Sequence, residues 1–178
     1  MNAAAKTAGA LTLAEINALD GARFTEALGF AFELSPWVVA RAHAAGPFAD
    51  LEALHGAMMA ALEAAPRTDK LALIRAHPEL AGKAALAGAL TAESRGEQAA
   101  AGLDRLTADE YARFHALNDA YGARFGFPFI ICARLSDKTA ILEAMARRLT
   151  LDPEAEIAEA IAQIGLISRL RLQDRVSP

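Results

Sequence analysis

Three short stretches hold the residue types that move protons and recognise small polar molecules. The first is His-Pro-Glu-Leu-Ala-Gly, His77–Gly82. Histidine changes charge near neutrality, and Pro78 biases the residue before it away from helical dihedrals, so His77 is expected at a helix exit. The second is Ser94-Arg-Gly-Glu-Gln98, in which Ser94, Glu97 and Gln98 stand at i, i+3 and i+4 and share a helix face. A carboxylate beside a carboxamide supplies an acceptor and a mixed donor–acceptor. The third, Phe125-Gly-Phe-Pro-Phe-Ile-Ile-Cys-Ala-Arg134, is an apolar run broken by Gly126 and Pro128. Phe129–Cys132 within it reads either as a strand-like pocket wall or as the start of another helix. Taken singly, each stretch also has a plain reading: a histidine at a helix end, a solvated helix face, a piece of core.

The elements that must hold these residues are helices. Thr12-Leu-Ala-Glu15 and Thr107-Ala-Asp-Glu110 are capping boxes, and Asp20, Asp50, Thr91 and Asp137 are placed to cap further helices. Ser35-Pro36 and Asp152-Pro153 each pair a capping side chain with proline at the first helical position. Apolar residues recur at helical spacing: Leu51, Leu54, Met58 and Leu62; Phe114, Leu117 and Tyr121; Ile141, Met145 and Leu149. The final stripe is Ile157, Ile161, Ile164, Ile167 and Leu170. Gly82 and Gly88 punctuate the link after His77. No repeat or linker divides the chain, so the expectation is one compact all-α domain of about eight helices over residues 11–178, with a loose tail over residues 1–10.

Composition narrows the function. The 178 residues are 54% hydrophobic but only 6% aromatic, an alanine-rich bias that favours closely packed helices. A net charge of −4 argues against a nucleic-acid binder, which needs a basic surface to neutralise phosphates. No stretch of about eighteen apolar residues suggests a membrane span. The single Cys132 can make no internal disulfide, which fits a reducing compartment. No signal-peptide pattern stands over the first residues, and the end lacks a Ser-Lys-Leu address, so a cytoplasmic protein is expected. His43, His55 and His115 read as structural, and no two histidines have metal-ligand spacing.

The three stretches, taken with Thr91-Ala-Glu93, Leu117-Asn118 and the terminal Leu170-Arg171-Leu172, resemble the OHCU decarboxylase family over residues 12–172. That family acts on 2-oxo-4-hydroxy-4-carboxy-5-ureidoimidazoline (OHCU), late in urate degradation. The resemblance implies a cofactor-free, all-helical enzyme, usually a homodimer, that releases CO2 and forms (S)-allantoin, with no metal. It assigns catalysis to His77, with Glu97 beside it. Substrate-binding positions would be Pro78, Ser94, Arg95, Gly96, Glu97 and Gln98, then Phe129, Ile130, Ile131, Cys132 and Ala133. Arg171 would lie near the ligand and pair with its carboxylate, and Arg95 and Gly96 would contribute backbone more than side chain. Two rivals stand beside this expectation. One is a non-catalytic helical module that binds a small heterocycle or a partner protein; the other is a related enzyme acting on another hydroxy-carboxy heterocycle.

Overall fold

The computed structural model describes residues 10–178, and the expected all-α class holds there: ten α-helices, three 3-10 turns and one pair of two-residue strands. The loose tail expected over residues 1–10 lies, as far as residue 9, outside the described residues. The expectation of about eight helices fits, and Lys83–Leu86, read as part of a link, coils for one turn as α6. Among the described residues no helix is long and apolar enough to cross a membrane. The chain divides into two compact units, one formed by residues up to Ala65 with Ser168–Pro178, the other by Pro66–Ile167.

The first unit holds β1 (Leu11–Thr12), α1 (Leu13–Asn17), α2 (Gly21–Leu28), α3 (Pro36–Ala42), α4 (Leu51–Glu63) and the end of α10 (Pro153–Arg175) with β2 (Val176–Ser177). The strands pair in parallel, Leu11 opposite Val176. Thr12 and Glu15 cap α1 reciprocally: the Glu15 carboxylate accepts from the Thr12 amide at 2.7 Å, and the Thr12 hydroxyl accepts from the Glu15 amide at 3.2 Å. Asp20 and Asp50 accept from amides three residues on, at 2.9 and 2.7 Å. Ser35 departs from its expected role. Its side chain makes no capping hydrogen bond, and Pro36 alone marks the start of α3. The α3 helix packs on α2 and α4, and Phe24, Leu28, Val38, Val39, Leu54, Met58 and Leu62 are buried.

The second unit carries α5 (Arg67–Ala76), α6, α7 (Ala92–Ala100), α8 (Ala108–Phe125), α9 (Lys138–Arg148) and the first part of α10. Thr91 accepts from the Ser94 amide, and Thr107 with Glu110 completes a second reciprocal box. Gly126 ends α8 in the left-handed conformation, φ +71°, which glycine adopts without steric cost. Asp152 accepts from the amides of Glu154 and Ala155 at the head of α10. Leu73, Ile74, Phe114, Tyr121, Phe129, Ile141, Met145, Ile157, Ile161 and Ile164 are buried here. Each fully buried aliphatic or phenylalanine side chain contributes about 1.5–3 kcal/mol. Leu170, expected inward on α10, is only half-buried.

Candidate active site

His77 sits where α5 stops. Its dihedrals, φ −75° and ψ 140°, are extended, as the following proline demands. The last carbonyls of a helix have no partner within it. His77 satisfies two of them: its amide donates to Ile74 O at 3.2 Å, and its ring Nδ1 lies 2.9 Å from Leu73 O. A carbonyl oxygen only accepts, so Nδ1 carries a proton. In the neutral ring the lone pair is therefore on Nε2. The side chain is buried, 7% exposed.

From His77 the chain makes a tight loop through Gly82 that two buried amide side chains hold by its backbone. Ala81 is left-handed, φ +51°, a conformation that costs a residue with a Cβ about 1 kcal/mol. Its amide donates to Gln98 Oε1 at 3.0 Å. Gln98 Nε2 donates in turn to Glu79 O at 3.4 Å, and Asn118 Nδ2 donates to Leu80 O at 2.9 Å. Both amides are only 5% exposed, so leaving either bond unmade would strand a polar group away from water. Gly82 is needed for space rather than for dihedral freedom: a Cβ there would lie 2.7 Å from Glu79 Cβ.

The α7 helix turns Ser94 and Gln98 inward and leaves Glu97 half-buried, with Arg95 and Gly96 outward. Arg95 donates to the carbonyls of Gly88 and Leu90 at 3.3 and 3.4 Å, tying down the link before its own helix. Ala81 and Gln98 also line a cavity of about 610 Å³ with Arg95, Leu103 and Tyr111. His77 is not among its lining residues, so this space is not where the imidazole would meet a ligand.

The α7 helix packs on the turn Ala133–Leu135, which ends the apolar run. The middle of that run, residues 128–132, is neither strand nor helix. A buried arginine and a half-buried glutamine hold its peptide groups. Arg148 Nη1 donates to Ile130 O at 2.7 Å, and the Cys132 amide donates to Gln163 Oε1 at 2.9 Å. The Arg148 guanidinium lies 4.4 Å from the centre of the Phe129 ring and is paired with Glu156, which also accepts from the Tyr121 hydroxyl. Burial pushes the Cys132 thiol above its ordinary range, and the nearby Glu97 charge pushes the same way. Burial, with the bond to Glu156, raises the Tyr121 phenol well above its own.

The second unit thus gathers the loop after His77 and Pro78 onto α7 through Gln98, and α7 onto the turn Ala133–Leu135 that follows residues 129–132. Arg171 belongs to the first unit, where it is 4% exposed, 3.0 Å from the Glu33 carboxylate and 3.2 Å from Phe30 O. Asn118 entered the sequence expectation only as part of a motif, with no role given to it, and Arg148, Glu156 and Gln163 did not enter it. For Asn118 and Arg148 helical spacing held the signal: Phe114, Asn118 and Tyr121, like Ile141, Met145 and Arg148, stand at i, i+4 and i+7, and all six are buried. The expected Leu117 and Leu149 are half-buried instead. A polar residue inside an apolar stripe marks a buried hydrogen-bonding task.

The second unit thus sets an imidazole at a helix exit and ties the loop after it to a helix that carries an acid and an amide. This chain belongs to the OHCU decarboxylase family, whose profile matches residues 17–173. It is 39% identical over 164 residues to the 2-oxo-4-hydroxy-4-carboxy-5-ureidoimidazoline decarboxylase of Mus musculus, covering 92% of each chain. It is 40% identical over 167 residues to the enzyme of that name from Haloferax volcanii, covering 94% of this chain and 97% of the other. Among solved structures it resembles an OHCU decarboxylase crystallised in the presence of (S)-allantoin, with TM-score 0.64 and 25% identity over 79% of this chain and 90% of that one. It also resembles an (S)-allantoin synthase, with TM-score 0.71 and 28% identity over 93% of this chain and 54% of the other.

Proposed function

We propose that this chain is a carboxy-lyase that decarboxylates OHCU to (S)-allantoin, a step of urate degradation. The observation that carries the reading is its likeness, along almost its whole length, to decarboxylases of that substrate. The substrate bears a carboxylate and a hydroxyl on one ring carbon beside a C=N bond. When CO2 leaves, the electron pair of the broken bond flows into that C=N, so the substrate is its own electron sink and the chemistry calls for neither pyridoxal nor metal. What remains for the protein is to hold the carboxylate out of the ring plane, stabilise the shifting charge and deliver a proton to one face.

His77 is the proton-transfer group. With Nδ1 committed to Leu73 O, Nε2 exchanges the proton with the substrate hydroxyl and returns one as product forms. Glu97 accepts from the ring or ureido N–H groups. Gln98 has one carbonyl lone pair and one N–H left over from the loop, enough to meet the ureido amide with both a donor and an acceptor. Ser94, the backbone at Arg95 and Gly96, Pro78 and the segment Phe129–Ala133 complete the surface that reads a flat heterocycle. A homodimeric state, which the family resemblance implies, and the cytoplasmic location expected from the sequence belong to the same reading.

The test is to add the protein to freshly generated OHCU and follow circular dichroism where allantoin absorbs. Spontaneous decay yields a racemate and no signal. The reading requires a rapid, single-handed signal that scales with protein concentration; racemic product formed at the uncatalysed rate would remove it.

A further inference from the structure

We propose that Asn118 and left-handed Ala81 together form a positioning device for the active-site loop, one that keeps Pro78 and the Gln98 carboxamide in register with His77. The inference rests on the decarboxylase reading and adds to it residues that touch no substrate. Three observations carry it. Ala81 adopts φ +51° although it has a Cβ, while the adjacent glycine does not use left-handed space. A non-glycine residue persists in that region only when its surroundings over-determine it. Those surroundings are the Ala81 amide on Gln98 Oε1 and the Leu80 carbonyl under Asn118 Nδ2, both buried bonds of normal length.

The geometry couples the two amides. The Ala81 N–H has one direction when Ala81 is left-handed, and that direction selects which way the Gln98 carboxamide faces. With its oxygen held by Ala81 and its nitrogen by Glu79 O, the Gln98 carboxamide keeps one facing, with a defined donor and a defined acceptor left over. Asn118 comes from α8, an element that supplies no substrate contact in the proposed mechanism, and clamps the peptide just before Ala81. Losing that clamp lets the turn relax toward negative φ, which swings the Ala81 N–H away and frees Gln98 to flip. His77 stays pinned by Leu73, so the error appears between the imidazole and the groups that orient the substrate.

The experiment measures kcat and KM by the dichroism assay for wild type, Asn118→Ala, Ala81→Gly and the double variant, with thermal melting of each as a control. Asn118→Ala should lower kcat about 10- to 100-fold, the scale expected of a misplaced reactive geometry, while remaining folded. Ala81→Gly alone should stay near wild type. In the double variant glycine adopts the left-handed turn without the clamp, so most of the lost kcat should return. A merely structural role for Asn118 predicts no such rescue. Unchanged kcat in folded Asn118→Ala, or a loss that Ala81→Gly does not restore, overturns the proposal. Should Asn118→Ala not fold, Asn118→Ser takes its place with the same two expectations. A wild type without catalysed (S)-allantoin would instead overturn the decarboxylase reading, so the two failures are distinct.

Discussion

The Nδ1 atom of His77 lies 2.9 Å from the carbonyl oxygen of Leu73, one turn back on the helix that delivers it. A single bond therefore closes the helix end, orients the ring and selects the tautomer. Its consequence is visible without substrate. In nitrogen-15-labelled protein at a pH where the ring is neutral, the His77 shifts should report a proton on Nδ1 and a bare Nε2. The reverse tautomer would be incompatible with the proposed direction of proton transfer.

Arg148 and Glu156 form a buried ion pair, 4% and 0% exposed, that also holds Ile130 O and the Tyr121 hydroxyl. Removing one partner of such a pair leaves the other charge buried and costs about 3–5 kcal/mol. Arg148→Met should therefore destabilise strongly in urea unfolding. Arg148→Met combined with Glu156→Gln should lose less, because the substituted carboxamide is neutral and still accepts from Tyr121. Equal losses in the single and double variants would show that the stranded charge is not the cause.

Cys132 offers a pH test, since it is the chain's one thiol. Burial and then the Glu97 charge favour the neutral form, so the folded pKa lies above the unfolded one. The stabilisation this represents is fully present below the ordinary thiol range and is lost as pH rises through the folded value. At neutral pH the native thiol should resist a disulfide reagent that labels it promptly in denaturant, and alkaline pH should weaken the native state. Replacing the thiol in Cys132→Ala should remove that part of the alkaline loss. Prompt labelling of native protein would contradict the buried, neutral thiol.

How much of this was legible in the sequence varies with the physics behind each feature. Caps are local, so Thr12, Asp20, Thr91, Thr107 and Asp137 could be read directly, and the structure shows each bond. The pre-proline bend at His77 is equally local. Ser35 misled because its side chain is buried without capping the helix, while Pro36 starts α3 unaided. The loop beyond His77 was not legible. Glycine is the usual left-handed residue, yet here Ala81 takes that conformation and Gly82 answers to crowding by Glu79. What decides it is the pair of amides from α7 and α8, seventeen and thirty-eight positions away from the backbone groups they hold. Arg148 was passed over for the same reason: Leu149 looked like the inward residue until Glu156 and Ile130 gave the arginine a reason to be buried.

His77→Asn in the dichroism assay tests the central claim most directly. Asparagine can still donate a hydrogen bond at the helix end, but it has no titrating nitrogen to exchange a proton with substrate. The account predicts a variant that melts close to wild type and converts OHCU no faster than the spontaneous reaction, without a one-handed signal. Formation of (S)-allantoin at near wild-type rate would contradict it.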